Sequence, residues 1–295
     1  MFYHHPGWEQ GAWENPVRAL ISLTPTESKR LIAKGVAALP EVRRALEKGI
    51  IVIARGTTNA FVAEEVAGIK IEPKCLYAAG IILDGELSAN PPGVRMKPIA
   101  LRQGKPTGLS PAEALQEFGE EDVFIKGANA LDPQGNAGVL AAGERGGTIG
   151  EALPVVLPRG SYLIMPVGLE KLIPSVEQAA RACGIFHFKY STGLPAGLVP
   201  APGALVVTEA QAFQALTGVQ AVPVAAGGIA GSEGTTVLSL EGDEGQIERA
   251  MVLVKSIKGE IPVGRPEARV NPPAAELDYE ALPQWQTLHS VPPRS

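Results

Sequence analysis

Ile50-Ile51-Val52-Ile53-Ala54-Arg55-Gly56-Thr57-Thr58-Asn59 is the stretch that decides the fold. Its first five residues are a short apolar run, rich in β-branched side chains and set between Gly49 and Gly56. Such a run reads as a strand buried on both faces. Arg55–Asn59 then turns into a helix expected over 60–66. Strand, small polar turn and helix open a βαβ unit. The same logic recurs at 123–126, an apolar strand that runs into Lys126-Gly127-Ala128-Asn129-Ala130-Leu131-Asp132-Pro133-Gln134-Gly135-Asn136-Ala137-Gly138. Loops at the carboxyl ends of parallel strands are where open α/β sheets bind small molecules.

Working outward, further strands are expected at 77–83, 99–102, 162–167, 204–207, 221–225 and 235–240. A helix capped by Thr26 or Ser28 is expected to run to about Ala38. The next, over 41–48, starts after Pro40 and ends at Gly49. Another has Ser110 as cap and Pro111 in its first turn. Helices are also expected over 175–183, 209–216 and 246–257, and one after Gly150 meets Pro154 early. Residues 246–257 carry Ile247, Ala250, Met251, Val254 and Ile257 on one face. This order predicts an α/β protein with a mostly parallel, Rossmann-like sheet and a C-terminal α+β portion. The expected divisions are an N-terminal arm at 1–24, a Rossmann-like domain at 25–160, an α+β domain at 161–261 and a Pro-rich tail at 262–295.

Only 5% of residues are aromatic, so the core is built mainly from Ala, Val, Leu and Ile. A net charge of −5 argues against a broad basic face for nucleic acid but leaves room for a local cationic pocket. No apolar window approaches a membrane span, and the N-terminus lacks the pattern of a signal peptide. Cys75 and Cys183 stand far apart, which points to reduced thiols and a cytoplasmic setting. His4, His5, His187 and His289 show no zinc-ligand spacing. Neither a metal nor a cofactor is expected.

Three loops are candidates for chemistry. Arg55, Gly56, Thr57, Thr58 and Asn59 suit an anion cradle at a helix N-terminus, or an ordinary turn with Thr58 or Asn59 as cap. In the long loop, Lys126 offers a cation, and Asn129, Asp132 and Asn136 offer hydrogen-bonding groups around Gly127. The alternative there is a structural Asx turn at Asp132–Gly135. Gly146, Gly147 and Thr148 repeat the cradle logic, with Glu144 or Glu151 as general base or carboxylate nucleophile, or simply as acids facing water. A fourth glycine-rich stretch, 227–234, reads as a connection between two strands.

The first two loops together resemble the superfamily of ribose-5-phosphate isomerase A, the CoA-transferases and the DeoR-type sugar sensors. Arg55–Asn59 looks like the phosphate loop. Gly127-Ala128, Asp132-Pro133 and Asn136 fall on the Gly-Ala-Asp-x-x-Asp-Pro-x-x-Asn pattern, and Gly146-Gly147 and Glu151 stand near the glycine run and its catalytic Glu. Asn129 takes the place of an acid, as in the sugar-sensor branch, and Glu144 and Arg145 interrupt the glycine run. The resemblance covers about residues 45–155. It implies a small phosphorylated or acyl (CoA-like) ligand, with Asp132 and Asn129 on substrate hydroxyls and Glu151 moving a proton. A non-catalytic metabolite sensor and a homo-oligomeric assembly protein are the alternatives on the same scaffold.

Overall fold

The computed structural model describes residues 1–5, 8, 13–143 and 145–270. Glu144 and most of the Pro-rich tail lie outside them. The chain begins with β1 (Val17–Leu23), α1 (Pro25–Ala38), α2 (Pro40–Lys48), β2 (Ile50–Ile53) and α3 (Thr57–Ala67). A hairpin follows, β3 (Gly80–Leu83) with β4 (Glu86–Ala89), then β5 (Ile99–Arg102) and β6 (Lys105–Pro106). Next come α4 (Pro111–Gln116), β7 (Val123–Ile125), β8 (Ala130–Leu131), β9 (Ala137–Ala141), α5 (Gly147–Arg159) and β10 (Tyr162–Pro166). The chain continues with α6 (Val176–Ala182), β11 (Gly197–Pro200), β12 (Leu205–Val207), α7 (Glu209–Thr217), β13 (Gln220–Gly227), β14 (Thr235–Gly242) and α8 (Glu244–Ile257).

The principal sheet has the order β12-β10-β7-β2-β5-β6. The strands β12, β10, β7 and β2 run parallel, while β5 joins β2 antiparallel and β6 turns back on β5. The sheet is therefore mixed. The expectation of a mostly parallel sheet holds for four of the six strands and needs correcting at the other edge, where the tight turn Gln103-Gly104 folds β6 onto β5. Both turn residues have positive φ, 50° and 73°.

Continuous apolar runs form the centre of this sheet because both of its faces are covered. Ile51, Ile53, Val123, Ile125 and Ile164 pack under α1, α2 and α3. Ile50, Val52, Phe124, Leu163 and Met165 face the other way, against α4 and α5. That alternation follows from the period of two along a strand.

The strands β10 and β12, expected in the α+β portion, lie in the principal sheet, while a second sheet, three-stranded and antiparallel in the order β1-β14-β13, is covered by α7 and α8. Its edge strand β1 comes from the segment expected to be an arm, and Ile21 and Leu23 turn inward from it. The cap of α1 is Thr24 rather than Thr26 or Ser28. Thr24 and Glu27 form a capping box that the spacing Thr24-Pro25-Thr26-Glu27 encodes. The expected strand at 77–83 starts later, because residues Lys74–Tyr77 make a 3₁₀ turn that plants Tyr77 in the core.

Helix α1 serves both sheets. Ile32, Ala33 and Val36 belong to the core under the principal sheet, and Leu31 to the core of the antiparallel one. Its approach to α7 is close enough that a Cβ on Gly35 would lie 2.6 Å from Cβ of Ala212 and 2.7 Å from its Cα. In an open helix, Gly→Ala gains about 1 kcal/mol of propensity. Here the backbone of α7 would have to move, and overpacking costs typically ~1–3 kcal/mol. Gly35→Ala is therefore expected to lower the stability measured by urea unfolding, and a variant more stable than the parent would refute this packing.

Candidate functional site

Because β2, β7, β10 and β12 are parallel, the chain leaves all four at the same edge of the sheet. The exits are Arg55–Asn59, Lys126–Asn129, Gly168–Lys171 and Thr208–Glu209. Backbone bonds tie neighbouring exits together: Ala54 N–H donates to Ile125 O at 2.9 Å, Lys126 N–H to Ile164 O at 3.0 Å and Val167 N–H to Val207 O at 3.0 Å.

The first exit is pinned from outside. Gly56 N–H donates to Tyr77 O at 2.8 Å, while the Tyr77 hydroxyl donates to Ile53 O at 2.7 Å and accepts from Ile99 N–H. Arg55 Nε donates to Met96 O at 2.7 Å. Gly56 is the N-cap of α3, and no side chain caps that helix start. Asn59 is not the cap. It lies inside α3, 0% exposed, and its Nδ2 donates to Ala54 O at 2.7 Å and Ile125 O at 3.1 Å. Two carbonyl acceptors fix the amide orientation, so Oδ1 must point the other way, and it has no hydrogen-bond partner there. A Cβ on Gly127 would lie 3.6 Å from it, which puts Gly127 beside this acceptor.

Lys126 extends from the second exit to donate from Nζ to Arg55 O at 3.2 Å. Part of its surface stays accessible, but the ammonium is enclosed. Burial, together with the nearby Lys171, brings its pKa down to about 8. Among the described residues no carboxylate pairs with it. Lys171 Nζ donates to Ala128 O at 3.0 Å, bracing the second exit from the third.

A second charged group adjoins. Lys29 of α1 stands 3.7 Å from Glu170, with side chains 12% and 14% exposed. Any Cβ on Gly168 would collide with the Glu170 carboxylate. Only glycine at 168 lets that carboxylate fold over the third exit, and Oε2 is buried without a partner. Glu209, fully buried at the start of α7, accepts from Leu169 N–H through both oxygens, at 3.0 and 3.3 Å. Burial, then repulsion from Glu170, pushes its pKa up, and burial pulls that of Lys29 down despite Glu170. None of Lys29, Glu170, Lys171 and Glu209 stood out in the sequence. Three of them follow closely on strands β10 and β12, and that position is the signal that could have found them.

The remaining sequence candidates are placed differently. Asp132 is 1% exposed and its oxygens accept from Gln134 N–H, Asn136 N–H, Asn136 Nδ2 and Val176 N–H at 2.9–3.1 Å. Burial raises its pKa, but those four bonds outweigh burial and hold it below the usual range. Asn129 Oδ1 accepts from Leu140 N–H at 3.1 Å, tying its loop to β9, and Asn136 is exposed. Asp132, Asn129 and Asn136 thus build the β8–β9 hairpin. Gly146, Gly147 and Thr148 begin α5 next to β11, where Gly146 abuts Val199, and Glu151 faces solvent from α5. The structure therefore gathers Arg55–Asn59, Lys126 and Gly127 at one edge and spends the others on their own local structure. Among the described residues no cluster of three or more His, Cys, Asp or Glu could hold a metal, and no helix is long and apolar enough to cross a membrane. Cys75 and Cys183 are free.

Comparison of the chain with protein-family models, with curated proteins and with solved structures finds no match.

The Glu209 environment predicts a pH signature. Its folded pKa, about 7, lies above the ordinary 4.5. Its stabilising protonated form is thus fully present below about 4.5, and the contribution is lost as pH rises through 7. Glu209→Gln keeps a neutral group there, so its stability relative to the parent should improve between pH 5 and pH 8 in urea melts. An unchanged difference would contradict the assignment.

Proposed function

We propose that the chain binds a small anionic metabolite, phosphorylated or acyl (CoA-like), at the carboxyl edge of its Rossmann-like parallel strands. The observation that carries this reading is the Lys126 ammonium, enclosed at the β2–β7 junction with a second cation beside it and no carboxylate to neutralise it. A buried charge without a counter-ion is costly, and a bound anion removes that cost. The uncapped start of α3 adds backbone N–H groups and the positive end of a helix dipole on the same junction. The resemblance of the two loops to the isomerase, CoA-transferase and sugar-sensor superfamily accords with a ligand held there.

For the isomerase, the resemblance implies a carboxylate that moves a proton at the ligand. The occupied oxygens of Asp132 and the exposure of Glu151 favour a binding role in which neither moves a proton, and so favour the sensor reading over the isomerase one. Glu170, with one enclosed and unpartnered oxygen, is the carboxylate a catalytic version would use.

Inorganic phosphate should raise the melting temperature of the parent protein in a saturable way, because a ligand of the native state stabilises it. Lys126→Gln should lose that shift. The effect should also fade as pH climbs through about 8, where Lys126 loses its charge. Equal stabilisation of parent and variant across pH 7–9.5 would overturn the proposal.

A further inference from the structure

The enclosed Lys126 amine is also placed for covalent chemistry. Three observations single it out. Lys126 Nζ is anchored by one hydrogen bond, to a backbone carbonyl, so it is fixed in place without being neutralised. The charged group that acts on it is another lysine, Lys171, itself tethered to Ala128 O. At the same strand junction the Asn59 Oδ1 is a fully buried acceptor that lacks a donor. An oriented, enclosed amine beside a second cation is the arrangement that activates lysine toward carbonyl carbons.

Resting on the anion site described above, we propose that Lys126 is a carbonyl-reactive residue that forms an imine with a small anionic aldehyde or ketone. In that step the neutral amine adds to the carbonyl carbon to give a carbinolamine. The carbonyl oxygen then leaves as water with the two amine protons, and a C=N bond replaces C=O. Lys171 and the start of α3 hold the anionic end, and Asn59 Oδ1 accepts a hydrogen bond from the carbinolamine hydroxyl. The lowered pKa supports the assignment. At pH 7 a lysine titrating near 8 is neutral roughly 200-fold more often than an ordinary one near 10.4. Burial depresses it first, and Lys171 is the charged group that adds to this. Arg55, from the neighbouring exit, contributes its carbonyl and turns its guanidinium to Met96 O.

The test uses the full chain and pyridoxal phosphate, a small phosphorylated aldehyde, at substoichiometric amounts near pH 7.5. Borohydride reduction then freezes any imine for peptide mapping by mass spectrometry. The expected result is a single dominant adduct on Lys126, diminished by excess inorganic phosphate. Lys126→Arg should lose that adduct while slow labelling elsewhere continues. Lys171→Gln should slow labelling of Lys126 at pH 7 several-fold, since each unit by which its pKa rises removes about tenfold of the neutral amine. Label spread over exposed lysines such as Lys48 and Lys70, with none on Lys126, would overturn the proposal. If phosphate still stabilises the parent in that case, the anion site stands and only the imine is refuted. If Lys126 labels but phosphate neither protects it nor stabilises the protein, the imine stands and the phosphate reading is the one refuted.

Discussion

Burial of β2, β7 and β10 on both faces is the constraint that organises the rest of the molecule. No side chain between Ile50 and Ile53, or between Val123 and Ile125, meets water, so a polar group there would carry an uncompensated desolvation cost. Chemistry is thereby pushed to the strand ends, and the two ends are treated differently. At the amino end Asp122 caps the junction, accepting from Ile50 N–H and Gly119 N–H, both at 2.6 Å. At the carboxyl end Lys126 lacks a counter-ion, and Asn59 Oδ1 and Glu170 Oε2 lack donors. Native proteins rarely leave buried polar groups unmatched, and two such oxygens, Asn59 Oδ1 and Glu170 Oε2, lie at this edge. The enclosed lysine without a counter-ion, more than any motif, is what singles out this edge for the proposed site.

Helix α1 keeps this edge in place. Its Arg30 pairs with Glu64 and Glu65 on and beside the far end of α3 and with Glu260 beyond α8, and its guanidinium stacks over the Phe61 ring at 4.8 Å. One residue earlier, Lys29 reaches Glu170. Clamped by Arg30 and by the close Gly35–Ala212 contact, α1 fixes where that lysine stands. The second sheet therefore bears on the site through the packing of α1 against α7, although it contributes no strand to the edge.

The local grammar of the chain was readable. The runs at 50–53 and 123–125, their glycine-bearing turns and the helix that follows β2 all came from neighbours in sequence, where period and capping act. What was not readable depended on distant partners. Val17–Leu23 is a strand only because β14 supplies its ladder, and β5 turns the sheet mixed only by pairing with β2. At the site, Lys126 and Gly127 were legible because glycine and lysine at a strand end are unusual. Asp132 misled for a physical reason: an Asp-Pro turn that hydrogen-bonds itself has the same residues as one that binds a ligand. Glu170 and Glu209 were invisible because isolated acids usually face water, and only folding shows these two enclosed.

The proposed site turns on a lysine held without a counter-ion where β2 and β7 end. Its most direct test is an NMR titration of the lysine side chains in isotopically labelled protein, with Lys126→Arg to assign the resonance. One lysine should titrate near 8, be absent from the variant and move upward when phosphate is added. Lysines that all titrate near the ordinary value of about 10.4, with or without phosphate, would refute an enclosed, uncompensated Lys126.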